Sequence, residues 1–433
     1  MKKSKYLEAQ DTLNKYEAKS MHGQLPVYWK SARGSIVRDH ENKKFIDFTS
    51  TIFVTNIGHS NRYIKNAIKR VVNSNLIHSY TYLNEFRVSY IKELVEFVGG
   101  KFEKAYLASS GTEATETALK LMRMYGLKVS KKRKPGIVSI NGNYHGRTLG
   151  SFMMSGFPKS KWWIGFQDPN IHFMDFPYPW QVNENEGEDF FNDQIKILKK
   201  NGVDLKKDVS GIILETFQGW GALFYPKSYI KELASFCKKN NILICFDEMQ
   251  AGFYRTGKKF GFQHYNVKPD IICIGKGMGS GLPLSGVVST KKILDLPLSG
   301  ELSSTNSANP LVCSAGLATI KYMNKKSFLK VLDRNCNLFE DKLNEISSEF
   351  PTKVKVYGKG MIKAIIILDK KGQPDITSTN LIVEDLLENG LIVVKTGRES
   401  IKLGPPLNIK YSHLMKGLNI LKKSIKKFLN DTL

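Results

Sequence analysis

The sequence lacks long hydrophobic runs, cysteine pairs and any Pro/Gly/Ser-rich linker. Its most apolar stretches, Gly211–Glu215, Ile242–Phe246 and Ile271–Gly275, have the length of strands, whereas roughly 20 apolar residues are needed to cross a bilayer. The basic N-terminus is not followed by an apolar segment, which argues against a secretory signal. We therefore expect no membrane span and a cytoplasmic location.

Cysteine and acidic residues are both scarce. The five cysteines are widely spaced and form no C-x-x-C pair, which fits neither a disulfide framework nor a zinc site, so we predict buried apolar thiols and no metal. Lys and Arg number 65 against 40 Asp and Glu, and the formal charge of +25 favours anionic partners without choosing among them. Because no basic stretch carries interleaved aromatics, we favour a solvated lysine-rich surface over a nucleic-acid site.

The chain has ample material for a core. Its 433 residues, of which 41% are hydrophobic, predict about two to four core-forming units. From about residue 59 to 320, helical patterns alternate with short β-branched runs, which is typical of an α/β domain with a mostly parallel sheet. These runs are Ala105–Ala108, Gly136–Ile140, Gly211–Leu214, Leu243–Phe246, Ile271–Ile274 and Gly286–Ser289.

The two ends of the chain carry the remaining strands. Residues 1–58 contain a short antiparallel pattern, and residues 321–433 have the strands and helices of an α+β unit. Neither end has strands enough for a well-covered sheet. We therefore predict that the two ends combine into one small domain beside a large α/β domain, residues 59–320. The N-terminal strands are expected at Ser35–Arg38, Lys44–Phe48 and Thr51–Ile57.

Lys276 stands in an unusual place for a lysine. It follows the apolar run Ile271–Gly275 in a loop, Gly275–Gly281, where every second residue is glycine, so the backbone can approach a ligand closely. A buried lysine must be neutral, paired or covalently used, and desolvation lowers its pKa toward nucleophilic competence. The context predicts a Schiff-base lysine, although a lone loop lysine would be interpreted as solvated.

Two other motifs follow predicted strands. Asp247 and Gln250 come just past the carboxyl end of a strand, where open α/β sheets bind ligands, and an Asp there can keep a pyridinium nitrogen protonated. Ser110–Thr112 opens a helix after another strand, and the free N–H groups of such a turn can hold an anion. Simple N-capping by the hydroxyls explains the second motif equally well.

One phosphate-loop look-alike fails at its metal ligand. Gly252–Lys259 has the G-x-x-x-x-G-K spacing, but Lys259 stands where Ser or Thr should ligate magnesium. Together with the positive charge, this motif leaves a nucleotide- or nucleic-acid-binding protein as the alternative from a different class.

Taken together, the motifs resemble the class III aminotransferases, pyridoxal-phosphate enzymes of fold type I that include ornithine, 4-aminobutyrate and other omega-amino acid transaminases. The resemblance runs from about residue 23 to 408. It is carried by Ser110-Gly111-Thr112-Glu113-Ala114, Tyr144-His145-Gly146-Arg147-Thr148, Asp247-Glu248-Met249-Gln250, Arg255-Thr256-Gly257, Gly275-Lys276-Gly277 and Asn309-Pro310-Leu311. It implies a large domain with a mostly parallel seven-stranded sheet and pyridoxal 5'-phosphate as cofactor. The implied reaction moves an amino group from a primary amine or omega-amino acid to a 2-oxo acid, aldehyde or ketone.

The resemblance implies a role for each matching residue. Lys276 would form the Schiff base and move the substrate proton, and Asp247 would pair with the pyridine nitrogen. Thr305 would reach the phosphate of the other subunit, so a homodimer is implied. His145 is interpreted as an orienting or packing residue, because the lysine already moves the proton. Cofactor contacts are implied for Ser110, Gly111, Thr112, Tyr144, His145, Glu215, Gln250 and Thr305.

The substrate half of the site departs from the family. Lys402 stands where the family has an Arg that grips the alpha-carboxylate, and lysine cannot make that planar two-point contact. Trp220 stands where 4-aminobutyrate-type members have a second Glu after Glu215. We expect Trp220 to line an apolar or stacking pocket and Lys402 to anchor an acidic group by its charge. Arg398 as the anchor, or a Lys402 that faces solvent, are the alternatives.

The cofactor motifs do not separate transamination from racemisation, epimerisation or an aminomutase reaction, in which the amine returns to the substrate. We favour transamination, with small-molecule amines and oxo acids as partners. The motifs do not identify the donor or the acceptor.

Overall fold

The structure, a computed structural model, describes residues 5–21, 23, 25–128, 134–396 and 399–430. Its strands are β1 Trp29–Arg33, β2 Ile36–Asp39, β3 Lys44–Asp47, β4 Lys104–Ala108, β5 Gly136–Ile140, β6 Ile171–Met174, β7 Val209–Glu215, β8 Phe217–Gln218, β9 Leu223–Phe224, β10 Leu243–Asp247, β11 Ile271–Ile274, β12 Ser285–Ser289, β13 Val354–Lys359, β14 Ile362–Ile367, β15 Leu391–Ile392, β16 Val394–Lys395 and β17 Ser400–Leu403. The helices of ten or more residues are Lys5–Tyr16, Arg62–Asn73, Glu85–Val98, Gly111–Lys128, Gly187–Lys200, Lys227–Asn240, Pro310–Met323, Lys326–Glu349, Ile376–Glu388 and Tyr411–Asn430. Shorter helical segments are Leu149–Met154, Leu205–Asp208 and Lys291–Leu294.

A seven-stranded sheet forms the centre of the molecule, in the order β4-β12-β11-β10-β7-β5-β6. Only β12 runs antiparallel to its neighbours, so the predicted α/β class and the mostly parallel sheet are confirmed. Strands β7, β10 and β11 are buried along their whole length, because helices cover both faces of a parallel sheet. Strand β6 was not predicted, since Ile171–Met174 contains a single β-branched residue.

Two four-stranded sheets are built from the chain ends. One has the order β1-β2-β3-β15 and the other β13-β14-β17-β16. Strand β15 pairs in parallel with β3, with Leu391 opposite Ile46, so one sheet contains strands from both ends of the chain. This pairing is in keeping with the expected small domain, whose boundaries at residues 58 and 320 stay predictions.

The expected strand over Thr51–Ile57 is wrong. Residues Ser50–Phe53 form a left-handed turn with φ angles between 46° and 68°. Left-handed backbone is unfavourable for residues with a side chain, so the surrounding structure must hold it. Ser50 Oγ donates to the Gly404 carbonyl at 2.7 Å, and Phe53 is buried against the same glycine, whose added Cβ would lie 2.2 Å from the ring.

The cysteines are free thiols, and all are buried except Cys336, which is half-buried. Within the described ranges, no helix has the length and apolar character needed to span a bilayer.

Candidate active site

Four neighbouring strands of the central sheet end at one edge, and each delivers a predicted site residue there. Asp247 and Glu215 are the last residues of β10 and β7, and they face each other in the parallel register. Lys276 lies two residues after β11, and Tyr144 lies four residues after β5. The carboxyl ends of parallel strands share an edge, which is where such sheets bind ligands.

The backbone around Lys276 is strained and closely packed. Lys276 itself has a φ of 45°, in the left-handed region where a side chain is unfavourable. A Cβ on Gly275 would lie 2.5 Å from Met249 Sδ, and one on Gly277 would lie 2.1 Å from Asn56 Nδ2, so glycine is needed on both sides. Burial lowers the pKa of the Lys276 amine, while the carboxylates of Asp247 and Glu215 act in the opposite direction. The amine is thereby moved toward its neutral, nucleophilic form.

His145 holds the carboxylate of Asp247. Its Nδ1 lies 2.8 Å from Asp247 Oδ2, and both side chains are buried. Asp247 Oδ1 accepts the N–H of Met249 at 3.0 Å, so both carboxylate oxygens have a partner. The His145 backbone is fixed in turn, because its N–H donates to Ser155 Oγ and its carbonyl accepts from Thr115 Oγ1. This geometry agrees with the interpretation of His145 as an orienting residue.

Glu113 caps the helix that begins at Gly111. Its Oε2 accepts the N–H groups of Ser109 and Ser110 at 3.0 and 2.7 Å and the Ser110 hydroxyl at 3.0 Å. Burial would raise the pKa of Glu113, but these hydrogen bonds and one from Ser304 hold it below its usual value. The N–H and the hydroxyl of Ser110 are therefore already hydrogen-bonded to Glu113. The N–H groups of Gly111 and Thr112 lie in the first helical turn, where no intrahelical acceptor exists.

Glu113 is part of a motif recognised in the sequence, but its role as a helix cap was not predicted. The pattern Ser110-x-x-Glu113 is the signature of a capping box, which would have found it. Met249, whose sulfur lies under both Gly111 and Gly275, was missed as well, and no sequence signal indicates it.

Glu215, Gln250 and Lys402 form a chain of hydrogen bonds beside Asp247. Gln250 Nε2 donates to Glu215 Oε1 at 3.0 Å, and Lys402 Nζ donates to Gln250 Oε1 at 2.5 Å. Glu215 Oε2 accepts the N–H of Tyr144 at 3.0 Å. Burial and the Asp247 carboxylate raise the pKa of Glu215. Burial lowers the pKa of Lys402 to about 7, against the opposing influence of Glu215.

The predicted substrate residues have different outcomes. Lys402 is only 4% exposed, so the alternative of a solvent-facing lysine is wrong. Its role as an anchor stays a prediction, and Arg398 lies outside the described residues. Trp220 is half-buried, its Nε1 donates to Gln218 Oε1 at 2.6 Å, and its ring lies 6.5 Å from those of Tyr178 and Trp180. Trp220 thus lies beside two other aromatic rings, and its place in an apolar or stacking substrate pocket stays a prediction.

Thr305 lies at the surface of the single chain. Its carbonyl is 3.0 Å from His78 Nε2, and the preceding Ser304 donates to Glu113 Oε1 at 2.9 Å. The Thr305 side chain is exposed in the single chain, which is the situation expected of a residue that serves another subunit.

The phosphate-loop look-alike is a packed turn. Lys259 Nζ donates to the carbonyl of Phe97, and the buried Arg255 donates to the carbonyls of Met361 and Pro405. The segment continues into a short 3-10 turn, Gly261–His264, instead of the helix that a phosphate loop requires. The nucleotide-binding alternative is therefore wrong for this segment.

The residues at this edge fit pyridoxal 5'-phosphate. The group needs an amine for its aldehyde, a fixed carboxylate for its ring nitrogen and N–H donors for its phosphate, and Lys276, Asp247 and the Gly111–Thr112 amides supply these. Gly146 packs closely beside these amides, because a Cβ on Gly146 would lie 2.3 Å from Thr112 Oγ1. Only a glycine leaves enough space at this position.

Comparison with known proteins gives the same picture. A profile of the family described as Aminotransferase class-III matches residues 17–425. The chain is 31% identical over 406 residues to a probable 4-aminobutyrate aminotransferase of Bacillus subtilis, covering 91% of each protein. It is 31% identical over 403 residues to an acetylornithine aminotransferase of Methanocaldococcus jannaschii, covering 93% of this chain and 94% of the relative.

Solved structures share the fold. An aminotransferase from Bacillus anthracis superposes with a TM-score of 0.89 at 24% identity, covering 99% of this chain and all of that one. The ornithine aminotransferase of Toxoplasma gondii superposes with a TM-score of 0.85 at 23% identity, covering all of this chain and 96% of that one.

Proposed function

The chain belongs to the class III aminotransferases, and we propose that it carries its pyridoxal 5'-phosphate at the sheet edge beside Lys276. The donor is a primary amine or an omega-amino acid, and the acceptor is a 2-oxo acid, an aldehyde or a ketone. The observation that carries the proposal is the pair His145–Asp247 at the end of β10, next to a lysine of lowered pKa at the end of β11. A carboxylate held so firmly beside such an amine suits a cofactor with a basic ring nitrogen.

The bound cofactor would supply an electron sink for the electron pair that the departing proton leaves on the substrate carbon. Lys276 would be its attachment point, and the released neutral amine would take the proton from the substrate carbon and deliver it to the cofactor. Asp247, oriented by His145, would keep the ring nitrogen protonated. The Gly111 and Thr112 amides hold the phosphate, with help from the positive end of the helix dipole.

Three further residues complete the cofactor contacts in this proposal. Tyr144 would stack on the ring, and Gln250 would lie beside the phenolic oxygen. Glu215 fixes both of them, because one of its oxygens accepts the Tyr144 N–H and the other accepts from the Gln250 amide.

A homodimer is part of the proposal. Thr305 is exposed in the single chain, and its neighbour His78 lies in a segment rich in exposed apolar side chains. Exposed apolar clusters of this kind mark interaction surfaces, and a second copy would bring its own Thr305 to this chain's phosphate site. These side chains are Leu76, Ile77, Tyr80, Tyr82 and Leu83. The cytoplasmic location stays a prediction.

Borohydride reduction of the loaded protein followed by peptide mass analysis tests the proposal. The adduct should lie on Lys276, Lys276→Ala should lose it, and the matched control Lys258→Ala should keep it. An adduct on Lys258 or Lys259 would contradict the proposed site. In a single turnover, an amine donor should be converted to the carbonyl compound while the enzyme keeps the amino group. Return of the amine to the donor with altered configuration would instead indicate racemisation.

A further inference from the structure

Two side chains of β17 hold the turn that follows β8. Ser400 Oγ donates to the carbonyl of Trp220 at 2.6 Å, and Lys402 Nζ donates to the carbonyl of Gly219. Ser400 and Lys402 are two residues apart on a strand, so their side chains lie on one face and reach successive carbonyls. Because β17 pairs with β14 on one side and β16 on the other, the backbone that carries both donors is fixed.

Lys402 also closes a ring of contacts. Gly219 donates its N–H to Glu215 Oε2 at 3.3 Å, and Glu215 Oε1 accepts from Gln250 Nε2. Lys402 Nζ donates to Gln250 Oε1 and also to the carbonyl of Gly219. The second of these hydrogen bonds returns to Gly219 and closes the ring. The ring is tight, since a Cβ on Gly219 would lie 2.5 Å from Gln250 Nε2 and 2.8 Å from Glu215 Oε1.

The surroundings of the Lys402 amine leave it little freedom to bind anything else. Its Nζ lies 4.8 Å from the centre of the Phe53 ring and 5.8 Å from that of Phe217, and the residue is nearly inaccessible. Both of its acceptors are neutral amide oxygens. Two of its N–H groups are committed to these oxygens, and a substrate carboxylate would have to reach the remaining one in a nearly inaccessible place beside the Phe53 and Phe217 rings.

We propose that Lys402 is a positioning residue that fixes the Gly219–Trp220 turn and the amide of Gln250, and that it does not anchor an acidic group of the substrate. The effect on the reaction rests on the proposed function, because it passes through Gln250 and Glu215 to the cofactor. Lys402 therefore acts equally on every donor, whether or not the donor carries a carboxylate.

Single-turnover transfer from glutamate, alanine and putrescine tests this in Lys402→Met and Ser400→Ala, with Lys395→Met as the control. Lys395 lies on the neighbouring strand β16 and is exposed. Lys402→Met should lower kcat/KM for all three donors by a similar factor, about 10- to 100-fold, because displaced groups at the site lose alignment. Ser400→Ala should act in the same direction with a smaller factor, and Lys395→Met should match the wild type.

Hydrogen exchange of the unliganded protein gives a second readout that is independent of catalysis. The amides of residues 216–221 should exchange roughly 10-fold faster in Lys402→Met and measurably faster in Ser400→Ala, because each loses a contact to the turn. A loss confined to glutamate and alanine, with unchanged exchange, would overturn the proposal and make Lys402 an anchor. If the wild type transfers an amino group from none of the donors and borohydride reduction gives no adduct on Lys276, the proposed function fails, while the exchange data still test the turn.

Discussion

Replacing His145 with Leu should slow amino transfer while leaving the fold in place. His145 Nδ1 lies 2.8 Å from Asp247 Oδ2, and both side chains are buried. Leu fills most of the same space but has no hydrogen-bond donor, so Oδ2 of Asp247 loses its partner. The other oxygen keeps the Met249 N–H at 3.0 Å, and the carboxylate becomes free to turn about that single contact.

The size of the effect follows from the type of contact. A hydrogen bond to a charged group contributes about 1.5–3 kcal/mol, and a buried carboxylate oxygen without a donor gives up that amount. If the whole loss falls on the transition state, the rate falls about 10- to 150-fold. The lower end applies if the freed oxygen finds water.

A second buried pair supplies the control. His59 Nε2 lies 2.7 Å from Asp47 Oδ2, also with little exposure, and Asp47 is the last residue of β3 in the sheet that joins the chain ends. His59→Leu and His145→Leu should lose similar free energy of unfolding in urea, whereas only His145→Leu should slow the single-turnover absorbance change of the loaded enzyme. Equal rates in the two variants, within about twofold, would refute the argument that His145 positions Asp247.

Three further predictions concern single contacts. Asp247→Asn should keep the fold and lower turnover by orders of magnitude, because a neutral side chain no longer favours the protonated ring; near-normal turnover would show that Asp247 is not its partner. Mixing inactive Lys276→Ala with an inactive Thr305 variant should restore some activity if subunits exchange, and a fully active monomer would argue against shared sites. The pKa of Lys402 is about 7 in the folded protein and higher in the unfolded chain, which therefore holds the proton to higher pH. The free energy of unfolding should consequently rise above about pH 7, by at most about 1.4 kcal/mol per pH unit, and equal pH slopes in urea titrations of wild type and Lys402→Met would contradict this.

The cofactor half of the site could be predicted because it depends on local patterns. Strands β10 and β11 are apolar on both faces, which indicates parallel strands covered by helices, and their carboxyl ends must then lie side by side. Asp247 is the last residue of β10, and Lys276 lies two residues after β11. By contrast, Thr51 and Ile52 prefer extended backbone, and contacts with the distant Gly404 segment impose a left-handed turn that local propensity opposes.

The substrate half could not be predicted, because its key contacts join residues that are far apart in sequence. Lys402 lies 152 positions from Gln250 and 183 from Gly219, and no pattern reveals which loop packs on the face of β17.

The two departures from the family nevertheless have a common physical consequence. With Trp220 in place of a carboxylate, the turn offers the lysine only neutral carbonyls. Burial, together with the nearby charges of Lys276 and Arg255, then lowers the pKa of its amine despite the opposing influence of Glu215. A lysine in that state suits a contact that holds the protein together better than one that attracts a charged substrate.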